Sequence, residues 1–159
     1  MDKVKKDKRY QRIYNQLISL LNKTDDRAAR MATITAVLHH KMDYFFWTGF
    51  YTIRSGKLMV STYQGPVACQ ILAKDCGACW AAINNGETLI IDDVEAYPGH
   101  IACDSRSASE IVVPLKNRNN EIYGAFDIDS SSLASFDEVD GAWIEKIAYL
   151  IDHPEETGL

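Results

Sequence analysis

The sequence predicts an α+β fold in which a central antiparallel sheet carries the N- and C-terminal helices on one face. Three observations support this prediction. Apolar residues recur at helical spacing near both ends of the chain, and the middle of the chain is rich in β-branched and aromatic residues. Two pairs of these central stretches are separated by short polar segments typical of hairpin turns. Hairpin-linked strands between terminal helices favour an antiparallel sheet with helices packed against it.

Two helices are predicted before the first strand and one after the last strand. The first contains the apolar stripe from Tyr10 to Leu21, and the basic segment at its start is expected to form its solvated face and entry. Thr24 is a suitable N-cap for the second helix. Ser135 and Glu138 have the spacing of a capping box at the start of the last helix.

The predicted sheet contains two hairpins and one further strand. The first hairpin joins "DYFFWTGFYTI" to "LMVSTY" through "RSGK", and the second joins "EIVVPLK" to "EIYGAFDID" through "NRNN". Between them lie the loop "QGPVAC", a short helix "GACWAAINNGE" that ends at Gly86, and the strand "TLIID". A loop from Asp93 to about Ala108 follows, and loops of that length in compact domains are usually functional.

The composition is that of a soluble globular protein. The chain has 159 residues, 47% hydrophobic residues, 25% charged residues and a net charge of −5, so binding of nucleic acid is not expected. It has no apolar run long enough to cross a membrane, and no apolar segment follows the basic N-terminus as in a signal peptide. We therefore expect one cytoplasmic domain over residues 1–159, with an N-terminal helix at 1–23 and a core at 43–152.

The four cysteines leave three interpretations open. Cys76-x2-Cys79 with His100-x2-Cys103 has zinc-ligand spacing, although the first pair runs into a predicted helix and the predicted core needs no metal. The thiols are otherwise unrelated buried or surface residues, or they form a redox site without metal. In a redox site Cys103, in its polar loop, is the nucleophile, and either Cys69 or Cys79 supplies the second thiol.

Three carboxylates are candidates for the remaining chemistry. Asp127 and Asp129 are two residues apart on a predicted strand, so their side chains point to the same face. Glu110 opens the strand that follows the Cys103 loop. If these groups share a pocket, they cannot all stay ionised, and one keeps its proton and acts as an acid. The alternative is that the two aspartates lie at an exposed strand end.

Several segments together resemble the free methionine-(R)-sulfoxide reductases, which are single-domain GAF-fold enzymes. These segments are "GFY", "QGPVAC", "DDVEAYPGHIACDSRSASEIVVPL" and "GAFDIDS", and the resemblance extends from about Asp43 to the last helix. It implies a GAF-like domain that reduces the R-sulfoxide of free, not peptide-bound, methionine with thioredoxin as electron donor. No cofactor is expected, and a homodimer remains open.

The resemblance also implies roles for individual residues. Cys103 corresponds to the nucleophile, Cys69 to the resolving thiol and Cys79 to a third redox cysteine. The segment "DCGACW" departs from the glycine-rich family pattern, because it adds Cys76 and has Trp80 in place of a glycine. Cys76 therefore has no counterpart in the family pattern.

Substrate contacts follow from the same resemblance. The residues that correspond to the substrate-binding positions are Trp47, Tyr51, Glu110, Asp127 and Asp129. One of the three carboxyl groups, Glu110 or an aspartate, gives its proton to the departing sulfoxide oxygen, and the others pair with the substrate ammonium. Because GAF domains also bind small molecules without chemistry, a ligand-sensing module is the alternative function.

Overall fold

The computed structural model describes residues 1–100 and 103–155. The helices in this part of the chain are α1 (Lys3–Leu21), α2 (Arg27–Lys41), α3 (Gly77–Asn85) and α4 (Glu138–Tyr149). The strands are β1 (Trp47–Arg54), β2 (Lys57–Gln64), β3 (Ile71–Leu72), β4 (Leu89–Ile91), β5 (Ser109–Lys116) and β6 (Ile122–Ser130). None of the helices formed by these residues has both the length and the apolar character that crossing a membrane requires.

All strand pairs in the sheet are antiparallel, and the strand order is β3-β2-β1-β6-β5-β4. The two predicted hairpins are β1–β2 and β5–β6. Their first and last strands, β1 and β6, pair at the centre of the sheet, so that two hairpins form one continuous surface. The predicted α+β class and antiparallel sheet are confirmed. The short strand β3 extends the sheet at the β2 edge, where the sequence predicted only a loop.

Helices cover both faces of the sheet, and the two faces have separate apolar cores. The three long helices, α1, α2 and α4, pack on one face around a core that includes Phe50, Ile111 and Phe126. The predicted placement of the N- and C-terminal helices on one face is thus confirmed. The short helix α3 packs on the opposite face, where its apolar side chains join Val112 and Ala125 in a second core.

The observed N-caps of α2 and α4 differ from those predicted. Asp26, not Thr24, caps α2 by accepting a hydrogen bond from the backbone N–H of Ala29 at 2.7 Å. Thr24 instead accepts a hydrogen bond from the Asp26 backbone N–H at 3.1 Å. The sequence offers several adjacent cap residues here, and a carboxylate is at least as good a cap as a threonine hydroxyl.

A capping box opens α4, but two residues later than predicted. Asp137 is the N-cap, and Asp140 completes the box by accepting from the Asp137 backbone N–H at 2.8 Å. The predicted N-cap, Ser135, does not cap α4. Its hydroxyl donates a hydrogen bond to the Ser132 carbonyl at 3.0 Å instead.

The basic segment before Tyr10 is part of α1, and one of its lysines is buried. Lys6 is 3% exposed, so the predicted solvated face is wrong at this residue. Its Nζ atom lies 2.5 Å from the Asp140 carboxylate and 2.9 Å from that of Asp137. The Tyr10 and Tyr44 hydroxyls donate to the other Asp140 oxygen at 2.7 and 2.5 Å. This network ties the first helix to the last.

Candidate active site

A cavity of about 50 Å³ lies on the α3 face of the sheet. It is bounded by β1, β5 and β6, by the start of α3 and by the two loops that hold Cys69 and Cys103. Seven of the eight residues predicted for the site line it: Trp47, Tyr51, Cys79, Cys103, Glu110, Asp127 and Asp129. The eighth, Cys69, is bonded to Cys103. The structure therefore brings the whole predicted set together.

Cys69 and Cys103 form a disulfide, with their Cα atoms 5.5 Å apart. This is the pairing that the resemblance implied, and it joins positions separated by 34 residues in the sequence. Cys76 and Cys79 are free thiols, the first exposed and the second buried. The four residues of the zinc hypothesis are not assembled as ligands here, because the Cys103 sulfur is bonded to Cys69.

Trp47 holds the loop that carries Cys69. Its indole N–H donates to the Pro66 carbonyl at 3.1 Å, and its ring stacks on Tyr51 and Tyr63 with centroid distances of 5.8 and 5.3 Å. Gly65 has a φ of +122°, and a Cβ there would come within 2.9 Å of the Trp47 ring. A larger residue at position 65 would therefore force the loop or the Trp47 ring to shift.

The three carboxylates meet because of strand register. Glu110 on β5 is the direct partner of Asp129 on β6, and both strands lie inside the sheet. Asp127 is two residues before Asp129, on the same face. Within the described part of the chain, Glu110 Oε2 and Asp127 Oδ1 are buried and have no hydrogen-bond partner. Such atoms are costly in a folded protein and point to a ligand.

Burial makes these groups weak acids. Desolvation and the nearby Asp129 carboxylate raise the pKa of Glu110 from 4.5 to about 8. Desolvation also raises the pKa of Asp129 from 3.8 to about 7, and it raises that of Asp127 well above its ordinary value, with further contributions from Asp129 and Glu110. At neutral pH the cluster retains protons that ordinary carboxyl groups would have lost.

Cys79 lies beneath the carboxylates, in the first turn of α3. Its side chain is 4% exposed, and its sulfur lies within 4.8 Å of ligand oxygens of both Glu110 and Asp127. Desolvation, together with the charges of Asp127, Glu110 and Asp129, raises the pKa of the thiol well above its ordinary value. Cys79 is therefore a neutral thiol at neutral pH.

Ten further residues line the cavity that were not predicted as part of this site, and two of them are His100 and Cys76. His100, considered only as a zinc ligand, places Nδ1 3.9 Å from Glu110 Oε2, and burial lowers its pKa, so that the ring is neutral at neutral pH. Cys76, which has no place in the family pattern, also lines the cavity. The short spacing between His100 and Cys103 could have indicated that His100 belongs to this site, but it was interpreted as part of a zinc-ligand pattern.

The chain belongs to the GAF domain family, whose pattern matches residues 15–152. GAF domain-containing protein A of Dictyostelium discoideum is 40% identical to it over 154 residues, which is 96% of each protein. Free methionine-R-sulfoxide reductase of Saccharomyces cerevisiae is 42% identical over 109 residues, covering 67% of this chain and 61% of the yeast protein.

A solved structure shows the same similarity in three dimensions. The X-ray structure of free methionine-R-sulfoxide reductase from Neisseria meningitidis in complex with its substrate matches with a TM-score of 0.86 at 37% identity, covering 91% of this chain and 87% of that one. The resemblance noted in the sequence is thus confirmed, and it extends over most of the fold.

Proposed function

We propose that this protein reduces free L-methionine-(R)-S-oxide to L-methionine, and that thioredoxin returns the electrons in a reducing cytoplasm. The observation that carries the proposal is a Cys69–Cys103 disulfide at the rim of a cavity whose wall holds unpartnered oxygens of Glu110 and Asp127. The disulfide supplies a two-electron redox couple. The unpartnered Asp127 oxygen matches a small cationic group, such as the ammonium of a free amino acid.

The substrate fits the remaining walls by its chemistry. The stacked rings of Trp47 and Tyr51 offer an apolar surface for the S-methyl end. A peptide-bound methionine sulfoxide has no ammonium, so it would leave the buried Asp127 oxygen without a partner. Discrimination by an unpaired buried group is stronger than discrimination by a lost apolar contact.

The chemical step begins with the reduced protein. The Cys103 thiolate attacks the sulfoxide sulfur while a carboxyl group, for which Glu110 is the best candidate, gives its proton to the sulfoxide oxygen. The oxygen ends on the Cys103 sulfur as a sulfenic acid, and methionine leaves with two more electrons than the sulfoxide had. Glu110 suits this role because its pKa of about 8 keeps it protonated at neutral pH.

The second half of the cycle gives the disulfide present in this structure. The Cys69 thiol attacks the Cys103 sulfenic sulfur, the sulfur–sulfur bond forms and water leaves. The Cα separation of 5.5 Å is within the range that a disulfide requires. A thioredoxin dithiol then exchanges with the disulfide and restores both thiols, which completes a cycle with no metal or bound cofactor in any of its steps.

A coupled assay tests the proposal. Free L-methionine-R-sulfoxide, thioredoxin, thioredoxin reductase and NADPH should give one methionine for each NADPH oxidised. N-acetyl-methionine sulfoxide should be a very poor substrate, because acetylation removes the ammonium. Reduction of the acetylated and free sulfoxides at equal rates would show that the carboxylates do not recognise the ammonium. Binding of the sulfoxide without any methionine formation would favour the ligand-sensing alternative instead.

A further inference from the structure

The two free cysteines occupy opposite environments within the same cavity wall. Cys76 is at the N-cap position of α3 and is exposed, whereas Cys79, three residues on, is buried under the carboxylates. Its sulfur lies within 4.8 Å of a Glu110 oxygen and an Asp127 oxygen. The family resemblance implied that Cys79 takes part in redox exchange, but this position suits a different task.

Thiol exchange requires a thiolate that can reach another sulfur. The Cys79 side chain sits in the second apolar core, 4% exposed, and three carboxyl groups oppose a negative charge on it. Forming a thiolate there would place a fourth acidic group in a cluster that already retains protons. The first turn of a regular helix also holds Cys79 in place, because α3 packs on β5 and β6.

The contact with Asp127 is favourable when Cys79 is neutral. The Cys79 sulfur lies within 4.8 Å of an Asp127 oxygen. This contact opposes the rise in the pKa of Asp127 that burial and the neighbouring Asp129 and Glu110 cause, so it favours the ionised carboxylate. The Oδ1 atom of Asp127 remains without a partner. A carboxylate can accept several hydrogen bonds, so Asp127 can contact Cys79 and still receive a cation from the cavity.

We infer that Cys79 is a positioning residue: its S–H group holds the Asp127 carboxylate in place to receive the substrate ammonium, and its sulfur does not enter the disulfide cycle. This inference rests on the proposed function, because the ammonium is that of the proposed substrate. It assigns substrate affinity to Cys79, and it assigns all sulfur chemistry to Cys103 and Cys69.

Serine and alanine at position 79 separate the two roles. Serine keeps a hydrogen-bond donor of similar size but removes the redox-active sulfur. Alanine removes both the donor and the sulfur. We expect Cys79→Ser to keep KM and kcat within a few-fold of wild type in the thioredoxin-coupled assay. Cys79→Ala should raise KM by about tenfold with little change in kcat, the size expected for losing a hydrogen bond to a charged group. The serine and alanine variants of exposed Cys76 should match each other.

A redox role would give the opposite pattern. If Cys79→Ser and Cys79→Ala lost thioredoxin-linked cycling equally while still releasing methionine in a single turnover, the inference would be wrong. A wild-type KM for Cys79→Ala would also overturn it.

Trapping the thiols of the wild-type protein gives a test that does not depend on whether the variants fold. The reduced protein is oxidised with substrate, and in parallel with hydrogen peroxide, then quenched in acid at intervals and mapped by mass spectrometry. Cys79 should be recovered as a free thiol at every time point. Any disulfide containing Cys79 in the course of oxidation would overturn the inference. The peroxide arm keeps this result separate from the proposed function, which fails if wild type forms no methionine from the sulfoxide.

Discussion

Replacing Glu110 with glutamine should make the substrate-free protein more stable at alkaline pH while it impairs the reaction. Burial raises the pKa of Glu110 from 4.5 to about 8, so ionising this group costs more in the folded than in the unfolded chain. That interval corresponds to roughly 5 kcal/mol for an isolated group, because one pKa unit is about 1.4 kcal/mol. The carboxyls titrate together, so removing one should recover roughly 2–3 kcal/mol.

The sign of the pH dependence follows from the direction of the shift. Below about pH 4.5 Glu110 is protonated in both the folded and the unfolded state, and glutamine should then give no advantage of this kind. As the pH rises from 4.5 towards 8, the unfolded chain releases a proton that the folded chain keeps, and the wild type loses stability relative to the variant. The advantage of Glu110→Gln should therefore grow across this window and level off above it.

Denaturant unfolding of both oxidised proteins at pH 4.5, 6.5 and 8.5, followed by tryptophan fluorescence, measures the difference in the free energy of unfolding. Glu95→Gln, a change at an exposed carboxylate, is the matched control and should show no such increase. Turnover of Glu110→Gln should fall by roughly 10²-fold or more, as for loss of a general acid. A variant less stable than wild type at pH 8.5, or a difference that does not change with pH, would refute the reasoning.

Three further outcomes are expected. The value of kcat/KM should fall above about pH 8, as Glu110 loses the proton that it donates; a pH profile that is flat to pH 9.5 would exclude it as the acid. Cys103→Ser should form no methionine, whereas Cys69→Ser should release about one methionine per chain and then stop cycling with thioredoxin; quenched single-turnover assays distinguish the two. Lys6→Met should lower the free energy of unfolding by about 3 kcal/mol, because it leaves the buried Asp140 carboxylate without its cation; thermal and denaturant unfolding measure this change.

Much of the site was predictable because it depends on local periodicity. Two-residue spacing on a strand is enough to place Asp127 and Asp129 on one face. It does not place Glu110 opposite Asp129, because that depends on the register of the β5–β6 hairpin, and this register shifts between Leu115 and Lys116 near the turn. The family resemblance supplied the link that periodicity could not.

The environments of Cys79 and Lys6 were not predictable from their neighbours. Cys79 follows a glycine and an alanine at the start of a short helix, and nothing local shows whether that turn faces water or the sheet. Lys6 stands among other lysines that are exposed. Its burial depends on Asp137 and Asp140, which are more than 130 positions away in the chain. Both cases depend on how a helix packs in the tertiary structure, and sequence spacing does not encode that directly.

The two faces of the sheet differ in how completely their buried charged groups are paired. The face covered by α1, α2 and α4 has the larger apolar core, and its buried ion pair is compensated by hydrogen bonds from two tyrosines. The α3 face has the smaller core, buries Glu110 and Asp127 and half-buries Asp129, and one oxygen of each buried carboxyl group has no partner among the described residues. β5 and β6 lie inside the sheet and contribute side chains to both faces. Packing under α1, α2 and α4 therefore also fixes the register of the two strands that carry Glu110, Asp127 and Asp129. The three carboxyl groups are held close together on the α3 face at a cost in folding free energy, and a bound ammonium would lower that cost.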